Sequence, residues 1–190
     1  MQATHLSGGF SNPAFEAARA FRSVMDAIAR PGTLHNVTGA APPAPLSPAA
    51  GAVALTLCDT DTPVYLAGAF DCTEVRAWLA FHTGAPLVGR ADAMFAFGTW
   101  DALLPLSDYR LGTSDYPDRS ATLIAEVKHL SATGAKLNGP GIEHTSMLSL
   151  PEIDAFQANH AHYPRGLDFI LTSGTRIAGV PRSTQVTPCT

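Results

Sequence analysis

The chain has 190 residues, of which 46% are apolar, and it carries a formal net charge of −4 at pH 7. These values fit one globular domain over residues 1–190 and give no indication of disorder. The acidic balance provides no basic surface for nucleic acid, and no apolar run is long enough to cross a membrane. The three cysteines are far apart, with no paired spacing for a metal or iron–sulfur site, and they fit a reducing cytoplasm.

The first half of the chain alternates helix and strand signals. Ser11-Asn12-Pro13 is typical of a helix start, and Pro31-Gly32 is typical of a helix end. Between them an apolar stripe recurs at helical spacing: Ala14, Ala18, Phe21, Met25 and Ile28. Further helices are predicted over residues 47–58 and 72–81, and strands over residues 33–37, 63–67 and 93–97. The Ala/Pro-rich residues 40–48 are predicted to be a surface connection.

The second half is richer in strand signals. Predicted strands cover residues 121–127, 135–138, 167–171 and 175–180, and a helix covers residues 151–159. Residues 107–118 form a predicted polar loop, and Gly139-Pro140-Gly141 is a predicted tight turn. Ser173-Gly174 between the last two strands indicates a hairpin, which is antiparallel. We therefore expect an α/β fold whose mixed sheet is covered by helices.

His82 and Thr83 stand together where a predicted helix ends at Gly84. An imidazole beside a hydroxyl in a turn could bind a phosphate or move a proton. The same histidine could instead cap the last carbonyl groups of its helix. The spacing favours the cap and leaves the ligand site as the alternative.

Arg119 and Ser120 precede a predicted strand, where they could hold a phosphoryl oxygen or simply form a turn. Asp168 lies in an otherwise apolar strand, so it needs a partner, and Arg182 and Arg165 are the candidates. Asp168 and Arg182 could form a structural pair, or they could contribute to a ligand site.

Arg19 and Arg22 lie with Asp26 on the polar side of the first predicted helix. They could bind a partner or an anion, although such residues more often form a solvated face with pairs such as Glu16 with Arg19. His160 and His162, with His144 nearby, lack further ligands in register, so we expect no metal site.

Several short signatures lie in the predicted turns, in a fixed order and spacing. They are Phe21-Arg22, Arg30-Pro31-Gly32, Asp61-Thr62-Pro63-Val64, Phe81-His82-Thr83-Gly84-Ala85-Pro86, Pro117-Asp118-Arg119-Ser120-Ala121-Thr122-Leu123-Ile124, Gly139-Pro140-Gly141-Ile142, Gly166-Leu167-Asp168-Phe169-Ile170-Leu171 and Pro181-Arg182-Ser183-Thr184. Together they resemble the PhnH family, the H subunit of the bacterial carbon–phosphorus lyase core complex. The resemblance extends roughly from Gly9 to Val186.

The resemblance implies a three-layer αβα sandwich with a mixed sheet, similar in fold to pyridoxal-phosphate-dependent transferases but without their cofactor. In keeping with this, no cofactor signature surrounds Lys128 or Lys136. It also implies a subunit that assembles with the G, I and J subunits and is a homodimer in isolation. That complex supports the transfer of an alkylphosphonate to the ribose of ATP with release of adenine. The resemblance assigns no catalytic residue, and it leaves open either an assembly role or direct binding of a phosphonate or nucleotide phosphate in a cleft.

Overall fold

A six-stranded mixed sheet is the centre of the computed structural model, which describes residues 6–189. Its strands are β1 (His35–Asn36), β2 (Val64–Leu66), β3 (Phe95–Thr99), β4 (Thr122–Glu126), β7 (Asp168–Ser173) and β8 (Arg176–Val180). They lie side by side in the order β1-β8-β7-β4-β3-β2. The strands β2, β3, β4 and β7 are parallel, whereas β8 runs antiparallel to both β7 and β1. The predicted α/β class and mixed sheet are therefore confirmed. Residues 1–5 and 190, which the single-domain prediction includes, lie outside the described residues.

Most helices begin within two residues of where the local sequence predicts them, but the four-residue helix that follows β3 was not predicted. They are α1 (Pro13–Ala29), α2 (Pro48–Leu57), α3 (Thr73–Thr83), α4 (Trp100–Leu103) and α5 (Ile153–His160). The Oγ of Ser47 accepts a hydrogen bond from the backbone N–H of Ala50 at 3.1 Å, which caps α2. Gly84 ends α3 in the left-handed conformation, with φ of 66°. Within residues 6–189, no helix combines the length and the apolar composition needed to span a membrane.

The two faces of the sheet bury two different sets of side chains, because successive residues of a strand point to opposite sides. Phe97, Ile124 and Ile170 pack in one cluster with residues of α1, α2 and α3. Leu123 and Phe169 belong to a second cluster that includes residues of α4 and α5. Helices thus cover both faces of the sheet.

The second cluster also contains residues of a small three-stranded sheet that the sequence did not predict as a sheet. Its strands are β5 (Ala135–Asn138), β6 (Ser146–Leu148) and β9 (Gln185–Thr187). The central strand, β5, pairs antiparallel with both neighbours. It was predicted, but β6 and β9 were not, because Ser146-Met147-Leu148 and Gln185-Val186-Thr187 mix polar and apolar residues and form no apolar run like that of β2.

Two glycines let other segments approach α1 closely. A Cβ atom on Gly179 of β8 would lie 2.5 Å from the carbonyl oxygen of Ala27. A Cβ atom on Gly141 would lie 1.9 Å from the carbonyl oxygen of Ala29, and the φ of Gly141 is 82°. The first contact seats α1 on the sheet, and the second places the predicted Gly-Pro-Gly turn against the C-terminal end of α1.

Candidate functional site

The outer face of α1 carries large apolar side chains that are about half exposed or more within the described chain. The exposed fractions are 74% for Phe15, 49% for Phe21 and 49% for Met25. The residues of α1 that face the core are instead small or β-branched: Ala20, Val24 and Ala27. Most of the predicted apolar stripe therefore points outward, because α1 has a second, less bulky apolar stripe that fits closely onto the sheet. Adjacent exposed apolar residues on one surface helix are typical of an interaction surface.

Arg19 and Arg22 lie on the exposed part of α1, and neither forms an ion pair within residues 6–189. Asp26 is engaged with Arg30, with Nη2 and Oδ1 3.5 Å apart. The predicted pairing of Glu16 with Arg19 is not among the ion pairs of the described chain. The two guanidinium groups therefore remain available to bind a partner or an anion, which is one of the two roles that the sequence suggests for them.

Glu16 instead forms hydrogen bonds at the N-terminal end of its own helix. Its Oε2 accepts hydrogen bonds from the backbone N–H of Asn12 at 2.9 Å and from the Oγ of Ser11 at 3.2 Å. The Asn12 N–H is the main reason why the pKa of Glu16 is lowered. This carboxylate therefore stabilises the first turn of α1 and neutralises little of the positive charge beyond it.

A groove of about 490 Å³ separates α1 from the edge strand β1. Arg19 and Arg22 line one side of the groove, and Asn36, Val37 and Thr38 line the other. The side chains of Asn36 and Thr38 are exposed, whereas Val37 is buried in the core under α1. We call the outer face of α1 together with this groove the α1 surface.

Asp168 and Arg182 form a partly buried ion pair, with 22% and 14% of their side chains exposed. Oδ1 of Asp168 accepts from the backbone N–H of Arg182 at 2.9 Å and from its Nε at 3.1 Å, and Oδ2 accepts from Nη2. Nη1 of Arg182 donates to the carbonyl of Pro117. The predicted need of Asp168 for an arginine partner is confirmed, and the partner is Arg182. Both carboxylate oxygens of Asp168 and all three guanidinium nitrogens of Arg182 thus form hydrogen bonds within the fold, as expected for a structural pair.

Arg119 and Ser120 lie between Pro117 and Ala121, whose carbonyls accept from Arg182 and from the Asp168 N–H, but they do not complete a binding site with this pair. The guanidinium carbon of Arg119 lies 4.1 Å from the centre of the Tyr116 ring, so this side chain stacks on an aromatic neighbour. The Oγ of Ser120 is buried and has no hydrogen-bond partner within the described chain. Ser120 precedes β4 and Asp168 begins β7, which places both at the amino ends of parallel strands. Open α/β sheets bind ligands at the opposite edge.

His82 and Thr83 lie elsewhere and hold local structure. The Nε2 of His82 lies 3.0 Å from the carbonyl oxygen of Leu6, and its ring packs against Trp78 with centroids 4.9 Å apart. The prediction that His82 caps its own helix is wrong, because Thr83 has that role. The Oγ1 of Thr83 donates to the carbonyl of Leu79 at 2.7 Å. His82 instead fixes the N-terminal segment to α3.

The carboxyl edge of the sheet holds a carboxyl group that sequence reasoning missed. Glu126 ends β4, and its Oε2 accepts from the Oγ of Ser47 and the Oγ1 of Thr172, both at 2.6 Å. Burial raises the pKa of Glu126, although these two hydroxyl groups partly oppose the shift. Because Ser47 caps α2, the carboxyl joins that helix to the ends of β4 and β7. A lone glutamate near the end of the predicted strand over residues 121–127 was the signal that could have found it.

A cleft of about 400 Å³ opens beside Glu126. Lys128 and His129 lie at its exposed side, and Trp100 lines it from α4. The Nε1 of Trp100 donates to the Oε2 of Glu152 at 3.2 Å. The cleft can accommodate a small polar molecule, and Glu126 can accept or donate a hydrogen bond there according to its protonation.

The histidines considered as metal ligands do not come together. The Nδ1 of His160 lies 3.0 Å from the carbonyl oxygen of Arg182, and His144 lies beside Glu143 on the exposed surface. Across residues 6–189, no group of three or more His, Cys, Asp or Glu side chains could share a metal ion. Lys136 lies in β5, away from the cleft beside Glu126.

Comparison with known proteins agrees with the family resemblance suggested by the short signatures in the predicted turns. The sequence model of a family described as "Bacterial phosphonate metabolism protein (PhnH)" matches residues 8–187. The chain is 45% identical over 194 residues to "Alpha-D-ribose 1-methylphosphonate 5-triphosphate synthase subunit PhnH" of Rhizobium meliloti (strain 1021), covering 97% of each chain. It is also 35% identical over 83 residues to "Putative C-P lyase subunit protein HtxG" of Stutzerimonas stutzeri, covering 40% of this chain and 43% of that one.

Proposed function

Because the chain belongs to the PhnH family of bacterial phosphonate metabolism proteins, we propose that it is an assembly subunit of a cytoplasmic carbon–phosphorus lyase core complex. In this role it supports the transfer of an alkylphosphonate to the ribose of ATP, with release of adenine. Its partners are the G, I and J subunits, and in isolation it forms a homodimer. Its fold belongs with the pyridoxal-phosphate-dependent transferases, although it uses no cofactor. The names of the two relatives, both complex or synthase subunits, support this assignment.

The observation that carries the assembly role is the outer face of α1. Phe21 and Met25 are each 49% exposed, and Phe15 is more exposed still. These side chains lie next to Arg19 and Arg22. A surface of this kind, with aromatic and methionine side chains beside arginine, has the composition of protein interfaces.

Direct binding of a phosphonate or a nucleotide phosphate is the other role that the family resemblance leaves open, and it is less well supported. Among its candidate residues, His82 contacts Leu6 and Asp168 is paired with Arg182. Such a role would therefore have to use other groups, such as those of the cleft beside Glu126. We keep it as the second candidate.

The assembly role is tested by replacing one exposed phenylalanine of α1 and one of α3. The chain is co-expressed with its G, I and J subunits, and the complexes are measured by size-exclusion chromatography with light scattering. Phe21→Ser removes an interface side chain, and a loss of about 2 kcal/mol or more in binding free energy corresponds to at least about 30-fold weaker assembly.

Phe81→Ser is the matched control, because Phe81 lies on α3 and is 64% exposed. We expect it to assemble like the unmodified chain. If Phe21→Ser assembles as well as Phe81→Ser, the outer face of α1 is not the partner surface.

A further inference from the structure

The outer edge of β1 has backbone groups to which the described chain gives no strand partner. β1 is the last strand on its side of the sheet, and it pairs with β8 through His35↔Ile177 and Asn36↔Arg176. The backbone N–H of Val37 donates to the carbonyl of Thr175 at 2.7 Å. Hydrogen-bonded and non-hydrogen-bonded pairs alternate along an antiparallel ladder. His35 therefore faces β8 as Val37 does, and the N–H and C=O of Asn36 point away from the sheet.

This free edge opens into the groove of the α1 surface, whose charged lining residues are two arginines and the carboxylates of Glu16 and Asp26. Arg19 and Arg22 line the groove opposite Asn36 and form no ion pair in the part of the chain that is described. The two carboxylates that line the groove have other partners, since Glu16 accepts from the start of its helix and Asp26 pairs with Arg30. The groove thus combines strand-edge groups without a strand partner and two guanidinium groups without an ion-pair partner in the described chain.

We propose that the groove receives an extended acidic segment of a partner subunit, which adds a strand to the free edge of β1. Its backbone pairs with Asn36, and its carboxylates lie against Arg19 and Arg22. This inference rests on the proposed function, in which the α1 surface contacts the other subunits of the complex. Strand addition at an exposed sheet edge is an established mode of recognition, and here the charges specify an acidic occupant.

An extended segment fits this groove better than the two other kinds of occupant. A docked helix satisfies its own backbone and would leave the edge groups of Asn36 without partners. A second copy of the chain, placed by a two-fold axis, would bring together Arg19 and Arg22 of both copies, which repel, and would add no unengaged carboxylate because Glu16 and Asp26 already have partners. An acidic segment from a different chain satisfies both the edge and the charges.

The test replaces Asn36 by two residues that differ in one backbone group. Asn36→Pro removes the outward N–H and keeps the inward bonds of β1 to β8, whereas Asn36→Ala keeps that N–H. Each variant is co-expressed with the G, I and J subunits, and complex formation is measured. We expect Asn36→Pro to weaken assembly about tenfold, as for one lost hydrogen bond, and Asn36→Ala to assemble like the unmodified chain.

Two further measurements address the charges and guard against misfolding of the proline variant. Arg19→Glu with Arg22→Glu is expected to weaken assembly about 100-fold or more, with a smaller loss at high salt because the repulsion is screened. Hydrogen exchange on the unmodified chain measures the Asn36 amide without any substitution. That amide is expected to exchange freely in isolation and to be protected in the complex.

The outcomes separate this inference from the proposed function. If Phe21→Ser prevents assembly but Asn36→Pro assembles normally and the Asn36 amide stays unprotected, the α1 surface binds a partner without strand addition, and the inference is wrong. If the chain does not assemble with the G, I and J subunits at all, both the inference and the proposed function fail. Protection of Asn36 in the complex together with normal assembly of the Arg19→Glu, Arg22→Glu variant would refute the acidic occupant.

Discussion

The seating of α1 on the sheet depends on the missing side chain of Gly179, and Gly179→Ala should measure that dependence. The added Cβ would lie 2.5 Å from the carbonyl oxygen of Ala27 and 2.8 Å from the Cα of Ile28. Both neighbours are helix backbone, so neither can rotate away. An ordinary van der Waals contact begins near 3.4 Å, and α1 must therefore withdraw by almost 1 Å.

This withdrawal lowers the stability of the fold because it separates α1 from the sheet. Ala20, Val24 and Ala27 are the buried residues of α1, and all of them lose contact with the sheet when the helix moves. A radial gap of 0.5–1 Å forfeits roughly a quarter to a half of each dispersion contact. Overpacking of this kind typically costs 1–3 kcal/mol, and rigid backbone neighbours favour the upper part of that range. We expect Gly179→Ala to lower the free energy of unfolding by about 2–3 kcal/mol, after allowing for the better strand propensity of alanine.

The assay is urea unfolding of the isolated chain, with a thermal scan as a second measure. For a chain of this size, a loss of 2–3 kcal/mol lowers Tm by about 5–10 °C. Gly89→Ala is the matched control, because a Cβ there meets nothing within 4 Å and Gly89 has an ordinary φ of −71°. It should be neutral or stabilising by a few tenths of a kcal/mol. If Gly179→Ala is as stable as Gly89→Ala, α1 is not held at the distance we describe.

Two further predictions concern ionisable groups. Asp168→Ala leaves the guanidinium of Arg182 partly buried without its carboxylate and should cost about 2–3 kcal/mol in urea unfolding, whereas the exposed Asp118→Ala should cost less than about 0.5 kcal/mol. Equal stability of these two variants would contradict the structural role of the pair. Burial raises the pKa of Glu126 above 4.5, so the chain loses stability as pH rises through the folded-state pKa, because ionising this group in the folded state is unfavourable. Glu126→Gln should remove that loss, so that its stability relative to the unmodified chain increases from pH 4 to pH 8, whereas the 90% exposed Glu143→Gln should show no such trend.

The starts of α1, α2, α3 and α5 were predictable because they depend on neighbours in sequence, whereas the four-residue α4 was not predicted. Ser47 and the proline after it predict α2, and Ser47 does cap that helix through the N–H of Ala50. The hairpin of β7 and β8 was predictable for the same reason, since Ser173-Gly174 makes a short turn between two apolar runs. Strands β6 and β9 were not predictable, because neither contains an apolar run and both form by pairing with β5, which lies far away in the chain from β9.

The periodicity of apolar residues did not predict which side of α1 faces the sheet. The helix carries two apolar stripes, and the sequence favours the bulkier one, which includes Phe21 and Met25. The sheet accepts the other stripe, because the close approach of Ala27 to Gly179 requires small residues at the contact. That approach depends on long-range packing, which no local pattern contains.

The candidate site, too, was predictable only in part from the sequence. The rule that a charge inside an apolar strand needs a partner led to Asp168, but the choice between Arg182 and Arg165 required the register of the hairpin. Phe169 pairs with Val180, which places Arg182 just beyond the partner strand and beside Asp168. His82 was misassigned because its contact, the carbonyl of Leu6, lies 76 residues away in the chain.

The bracing of α1 has a thermodynamic consequence for any partner that binds there. Gly179 allows the sheet to support the helix from below, and Gly141 lets a tight turn abut its C-terminal end. Phe21 and Met25 are therefore presented on a rigid, pre-organised helix, which has little conformational entropy left to lose on binding. The ordering cost of assembly falls mainly on the incoming chain, so substitutions that loosen α1 should weaken binding even when they touch no interface residue.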